Sequence, residues 1–480
     1  MFRIAAIALL VAQLASAQFA GGSIFVSLDA TQYSGVSQIG VPGNSYLSTG
    51  EILAYSTGMT TGARSLWSAE ALGVLLGDRD SDFLPNDWLN VDAIHFTTLT
   101  SGIQPRPYDA LMSFEYDLLN VSGTTLISAG DIFRLTGINT YSVFVSRATL
   151  AAAMGTTVSA ANPLNLDGLA MTADGTLIVS FKNSPSSTFV ATCNHVRNPL
   201  NGIVGNAITI YGSDIIAIPP PYGIAPATIL YRSADLLSVA SQYGFQSVQE
   251  VRDFDLQPNT ANISNPYDPA GGFASGTRPH LIFLPWGSDV AMCTNPAANP
   301  AGFNNTWWSA PTTCVTCGSF ATNGSTSRVA FDALAISPYA MPVGSAITVD
   351  VTDVNSVPNG PVFVSGNSFR FTVRNLPTSP VGATARIFMS TTLWTGTGYP
   401  VTTGGFNATV LNPNDAFLLT TSVPAYDPLL ITGTTLLYGT VQTPMITVPP
   451  GVNGLSLYVQ PMMLGPSIFP IGAPGFLRIQ

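Results

Sequence analysis

Charge is scarce in this chain. Asp, Glu, Lys and Arg make up 9% of its 480 residues, against roughly 25% in an ordinary globular domain. Lys182 is its one lysine, and Glu51, Glu70, Glu115 and Glu250 are its only glutamates. Helix surfaces are normally built with Glu and Lys, so this shortage argues against a helical protein. The charge that is present sums to −10, which argues against nucleic acid or anionic lipid as a partner. No run after the N-terminus reaches the roughly 18 apolar residues of a membrane-spanning helix, so no membrane span is expected. Catalytic signatures are missing too. There is no Gly-x-Ser-x-Gly elbow, no His-Glu-x-x-His pair and no Gly-rich phosphate loop between a strand and a helix. The three histidines, His95, His195 and His280, are far apart in sequence.

What remains is apolar and turn-rich. Hydrophobic residues reach 46%, with 44 Gly and 36 Pro, a balance that excludes general disorder and favours sheet. The chain opens Met1-Phe2-Arg3, continues with an apolar run over residues 4–14 and reaches Ala15-Ser16-Ala17. One positive charge, a short apolar core and a small-x-small site form a secretory signal, with cleavage expected before Gln18. Residues 1–17 are too short to act as a stable anchor. The mature protein is therefore expected outside the cell, secreted or held at the cell surface. In that compartment Cys193, Cys293, Cys314 and Cys317 suit two disulfides. Three pairings exist, and Cys314–Cys317 with Cys193–Cys293 is favoured because the Cys-Val-Thr-Cys loop closes locally. A zinc site using these cysteines and His195 is the competing reading.

A repeat of about eighty residues organises residues 18–342. Opening strands begin Gly50-Glu51-Ile52, Gly130-Asp131-Ile132 and Ser213-Asp214-Ile215. Each leads to a short helix-like segment ending at Gly77, Gly155 or Gly244, where glycine suits a helix C-cap. A third strand carries a recurring Asp: Val91-Asp92-Ala93-Ile94, Leu166-Asp167-Gly168-Leu169 and, in a degraded copy, Val251-Arg252-Asp253-Phe254. A fourth strand follows, and Asp174-Gly175 supplies a tight turn in the second copy. Phe331-Asp332-Ala333-Leu334 repeats the third strand near the end of the region, while the stretch from Gly22 resembles a fourth strand at its start. Pairing those two would close a ring and hide its edges. The expected fold class is all-β, with a small β-propeller of four or five blades. An irregular solenoid or stacked sandwich of the same units is the alternative.

These segments, above all LDGLAMTADGTLIVSF from Leu166, with DIFRL from Asp131 and FDALAI from Phe331, resemble repeats of uncharacterised bacterial exported proteins. The resemblance covers about half the chain. It implies a propeller-like repeat and an extracytoplasmic location, and it brings no activity.

Residues 343–480 have a different grain. Ile347, Val349 and Val351 alternate with polar residues, as do Phe369, Phe371 and Val373. Period-two alternation means one buried and one wet face. Seven to nine such strands predict a β-sandwich of the immunoglobulin or fibronectin kind.

Three places could carry chemistry. Asp78, Asp80 and Asp82, followed by Asp87, offer several hard oxygens, as a calcium-binding loop does. The EF-hand pattern fails there, because Phe83 stands where Gly is needed and Leu89 where Glu is needed. A solvated acidic loop is the plainer reading. Trp307 and Trp308, expected in a loop before Cys314, could stack on a glycan or a cell-surface protein, or pack over that loop. Asp92, Asp167 and Asp332 recur once per repeat, which favours a structural role in which each carboxylate accepts backbone N–H groups. The sequence thus predicts a binding or structural protein. A polysaccharide hydrolase or lyase at the central face is the alternative, and calcium is the only cofactor indicated.

Overall fold

A computed structural model describes residues 23–29, 32–33, 46–47, 49–56, 64–67, 72, 76, 89–99, 105, 107–119, 125–137, 140–160, 163–183, 190–197, 207–241, 244–256, 279–286, 290–294, 306–309, 331–337, 348–352, 362–363, 366–374, 384–392, 402–403, 406–407, 411, 430–431, 441–464 and 475–479. Strands dominate them, arranged in several antiparallel sheets. Two eight-residue α-helices accompany the sheets, α1 (Arg147–Met154) and α2 (Ser233–Ala240).

Four larger sheets dominate the described part of the repeat region, with three two-stranded pairs beside them. In sheet 1, Phe331–Ser337 pairs with Ser23–Leu28, followed by Ile52–Ser56 and Arg64–Trp67. Sheet 2 runs Val91–Phe96, Ala110–Phe114, Ile132–Gly137, Thr140–Val145. Sheet 3 runs Leu166–Met171, Leu177–Phe181, Ile215–Ile218, Ala227–Tyr231, with Val196–Arg197 added in parallel at its edge. Sheet 4 runs Val251–Leu256, Leu281–Pro285, Val290–Cys293, Thr306–Ser309. The sequence repeat is therefore offset from the sheet. Each sheet joins the third and fourth strands of one copy to the opening strands of the next. The expected pairing of the region's two ends is the junction in sheet 1, where Ile24 faces Ile336.

The first strands of the four sheets pack against one another in a closed cycle: Phe331–Ser337 on Val91–Phe96, that on Leu166–Met171, that on Val251–Leu256, and that back on Phe331–Ser337. Apolar side chains fill the wedges between successive sheets. Phe25 and Trp67 meet Phe96 edge-on between sheets 1 and 2. Leu111 and Ile132 of sheet 2 share a cluster with Val179 and Ile216 of sheet 3, and Ile178 and Ile215 share one with Phe254 and Phe283 of sheet 4.

Two of the expected helix ends are visible. Ser146 caps α1 by accepting the Thr149 N–H, and Gly155 ends it at φ +69°. The third copy departs: α2 stops at Ala240, with Ser241 as its cap, and Gly244 turns the chain three residues later at φ +86°. Of the first copy's helix-like segment, Leu72 and Leu76 are described, both helical and buried, and its end at Gly77 lies outside the described residues. At Asp174-Gly175 the turn closes as expected, with Gly175 at φ +85° and Thr172 bonded to Thr176 through backbone N–H to O at 3.0 Å.

The C-terminal strands form two further sheets. One holds Thr348–Thr352, Ser368–Arg374 and Val441–Gln442, with Ile446–Thr447 also paired to Ser368–Arg374; the other holds Val362–Phe363, Gly475–Ile479, Ser456–Leu464, Thr384–Ser390 and Leu430–Ile431. The alternation read from sequence is the burial pattern. Val349, Val351, Phe369, Phe371 and Val373 point into a core completed from the second sheet by Ile387, Leu457, Val459 and Leu477.

Candidate functional site: a buried ring of charge

Every first strand of sheets 1–4 carries a bulge near its start. The register jumps between Val91 and Ala93, Leu166 and Gly168, and Val251 and Asp253; in sheet 1 it jumps opposite Phe331. A bulge inserts one extra residue and re-aims its side chain. The inserted residues are Asp92, Asp167, Arg252 and Asp332, so the four sheets place three carboxylates and one guanidinium at matching positions. Arg252 shows that they converge: its Nη1 lies 2.9 Å from Asp332 Oδ1 and 4.0 Å from Asp167 Oδ1. Its Nη2 donates to Asp29 Oδ1 at 3.1 Å. In the cycle, Arg252 neighbours Asp167 and Asp332, and Asp92 stands across from it.

The next position holds Ala93, Gly168, Asp253 and Ala333. Here one carboxylate serves all four strands. Asp253 Oδ1 accepts the Leu169 and Phe254 N–H groups at 2.9 and 2.7 Å, and Oδ2 accepts those of Ile94 and Leu334 at 3.3 and 2.6 Å. The other three residues are small because this carboxylate and its surroundings fill the centre. A Cβ on Gly168 would lie 2.5 Å from Ser180 Oγ and 2.7 Å from the Phe254 ring. Two residues further on, Asp255 accepts the Leu256 and Ile336 N–H groups, each at 2.8 Å, and sits 3.2 Å from His95 Nδ1. Hydroxyls tie neighbouring sheets together. Ser27 Oγ donates to Val91 O and accepts the Ala333 N–H, both at 2.8 Å.

On the other side of the bulged ring, Glu115 contacts Lys182 and accepts from Asn90 Nδ2 at 2.6 Å. One oxygen each of Asp92, Glu115 and Asp332 can lie within 4.8 Å of one another. Asp92, Asp167 and Asp332 are each 0% exposed. Burial, and then the charges of Asp332 and Asp167, push the Asp92 carboxyl well above its ordinary range. Burial, then Glu250, does the same to Asp167. Burial carries Asp332 to about 6, although Arg252 opposes it. For Asp253, burial raises the pKa while its backbone hydrogen bonds oppose the rise. Its four donors leave no acceptor for a carboxyl proton, so the geometry suits the anion.

Several expectations need correction. Asp92, Asp167 and Asp332 were expected to accept backbone N–H groups, yet no backbone N–H reaches either oxygen of Asp167 or Asp332, or Oδ1 of Asp92, and Asp332 is met by Arg252 instead. The bulge turns them toward each other, away from the strand backbones. Backbone acceptance falls to Asp253, in the copy that reads as degraded, and to the opening-strand acids. Asp131 accepts from the Ser128 and Arg147 N–H groups, and Asp214 from that of Tyr211. The Cys193–Cys293 pairing is not present: Cys193 is a free, fully buried thiol in the apolar cluster between sheets 2 and 3. Cys293 lies on a strand of sheet 4. Trp307 and Trp308 stand on the outer strand of sheet 4, with Trp308 opposite Ala291, and not in a loop. Thr-Trp-Trp-Ser is rich in residues that favour strand. The signal segment, Asp78, Asp80, Asp82, Asp87, Cys314 and Cys317 lie outside the described residues.

A second feature is an open cleft of about 930 Å³ beside sheet 3 and α2. Thr209, Tyr211, Gln249, Asn183 and the Asp214–Arg232 ion pair line it. Arg232 Nη1 meets Asp214 Oδ2 at 2.5 Å, and the Tyr211 side chain is partly exposed. Comparison of the chain with models of known protein families and with characterised proteins finds no match. No helix among the described residues is long and apolar enough to cross a membrane.

Proposed function

We propose that this is an exported, non-enzymatic binding protein, in which a four-bladed β-propeller carries a C-terminal β-sandwich. The cyclic packing of four sheets, three of four strands and one with a fifth at its edge, joined end to end at Phe331–Ser337 and Ser23–Leu28, supports the propeller. Two sheets sharing the core around Phe371 and Val459 support the sandwich. The resemblance to bacterial exported repeats, together with the N-terminal signal pattern, supports export.

One observation weighs against the hydrolase reading. The acids that converge at the centre are sealed: Asp92, Asp167 and Asp332 have no exposed surface, and Asp253 closes the ring behind them. A polysaccharide cannot reach carboxylates that water does not. General acid–base chemistry needs its groups within hydrogen-bond reach of the substrate. The open cleft, by contrast, offers hydroxyls, amides, a paired guanidinium and the partly exposed Tyr211 ring. A ligand rich in hydroxyls, such as a neutral glycan, fits that lining, and the cleft volume suits a small ligand or a short glycan segment.

Affinity electrophoresis of the secreted chain through gels containing neutral polysaccharides tests this reading. Retardation that is lost in Tyr211→Ala, with no release of reducing sugar, supports it. Reducing-sugar release by the wild-type chain, lost on Asp92→Asn, would establish the hydrolase instead.

A further inference from the structure

The bulged ring holds more acceptors than its own donors satisfy. Among the described residues, six carboxylates lie at this end of the four first strands: Asp29, Asp92, Glu115, Asp167, Glu250 and Asp332. Among the same residues two cations face them, Lys182 and Arg252. Lys182 contacts Glu115, and Arg252 leans toward Asp332, Asp167 and Asp29. Asp92, opposite Arg252, has only Asn165 Nδ2 as a donor, at 3.3 Å to Oδ2, and its Oδ1 has none.

A second observation stands apart from that trio. Asp167, fully buried and next to Asp92 in the ring, has no donor on either oxygen. The amide of Asn90 is 5% exposed; its Nδ2 is fixed by Glu115, so its unpartnered Oδ1 is an acceptor and not a misassigned donor. Asn165 Oδ1 is likewise without a partner. Unmatched acceptors outnumber unmatched donors around one point. A buried carboxylate without a donor or counter-charge is strongly unfavourable.

We propose that the centre of the ring is a divalent-cation site of the calcium type, held by Asp92, Glu115 and Asp332 with Asp167 beside it. The donors are all oxygen, as hard cations require, and they come from two strands and from the bend after Ala110–Phe114, at irregular spacing. Calcium accepts that irregularity, whereas magnesium demands a near-ideal octahedron. Glu115 and Asp332 already touch Lys182 and Arg252, but each carboxylate oxygen can take a second partner. Asp253 forms the floor, its lone pairs committed to four N–H groups. A bound ion would cross-link sheets 1 and 2, and through Asp167 sheet 3, so it would act as a fastener of the ring. The site is separate from the cleft, and it stands or falls independently of glycan binding.

The test uses the full secreted chain, stripped with chelator and titrated with calcium chloride by calorimetry and thermal melting. About one calcium per chain is expected, with a midpoint rise of roughly 5 °C at a hundredfold excess over Kd. Asp92→Asn and Asp332→Asn should each abolish the rise. Glu115→Gln, at the half-buried mouth where folding depends on it less, should weaken binding at least tenfold. A triple Asn variant at Asp78, Asp80 and Asp82 should keep the full response. Absence of both heat and shift in the wild-type chain would overturn the proposal. So would a response that survives in the ring variants and disappears in the triple variant, which would move the ion to the acidic loop.

Discussion

The two halves of this molecule fill their centres in opposite ways. The C-terminal sheets enclose Val349, Phe371, Ile387 and Val459, an apolar core continuous from one sheet to the other. The four-sheet region confines its apolar packing to the wedges between sheets and places Asp92, Asp167, Arg252, Asp253, Asp255 and Asp332 at its centre. An apolar core is non-directional and tolerates repacking. A core of carboxylates and N–H donors works only when each group meets its partner, so it selects one arrangement. Four near-identical sheets can stack in several registers. A single carboxylate bonded to the same N–H position in all four allows one.

That contrast can be broken from either side. The largest effect should come from Asp253→Ala, which leaves four buried N–H groups without their acceptor. Each such orphan costs about 1–3 kcal/mol, so the four-sheet region should lose about 4 kcal/mol or more in urea denaturation, or fail to fold. Phe371→Ala should cost about 3–5 kcal/mol as a cavity in an apolar core. Its effect should fall on the C-terminal sheets, read from protease sensitivity of residues after 343. Cys193 gives the smallest effect. Burial raises its thiol to about 12. The folded chain then keeps a proton that the unfolded chain loses near pH 9, so this group's contribution falls as pH rises from about 9 to 12. Linkage makes the difference about 1 kcal/mol at pH 10, and Cys193→Ala should flatten that decline. Peptide mapping after thiol labelling at pH 8 should find Cys193 unmodified in the native chain and modified in denaturant.

Much of the architecture was legible in the sequence because strands announce themselves by repetition. Openings in which an acid precedes Ile, at Glu51, Asp131 and Asp214, and the Val-Asp-Ala-Ile series marked the right strands, and the ends that pair in sheet 1 could be matched by likeness alone. Alternation at Val349–Val351 and Phe369–Val373 gave the buried face directly. The centre was less readable. Asp92, Asp167 and Asp332 were visible as a series, but bulges turn them toward each other, and a bulge has no reliable sequence mark. The copy Val251-Arg252-Asp253-Phe254 looked degraded because it departs from the series. Those departures are complementary to it: Arg252 supplies the counter-charge that three Asp need, and Asp253 supplies the carboxylate where the others have Ala, Gly and Ala. His95 and Asp255 meet across about 160 residues, a distance that periodicity does not bridge. The signal was present as a break in the repeat, to be read against its neighbours.

Through Asp253, one carboxylate joins all four sheets. Amide hydrogen exchange at Ile94, Leu169, Phe254 and Leu334, compared between the wild-type chain and Asp253→Asn, tests it most directly. Asparagine replaces one acceptor oxygen with a donor, so it cannot serve all four N–H groups. In Asp253→Asn the four amides, spread over 240 residues of chain, should exchange faster together while Val373 and Val459 keep their protection. Acceleration at Phe254 alone, beside the substitution, would contradict it.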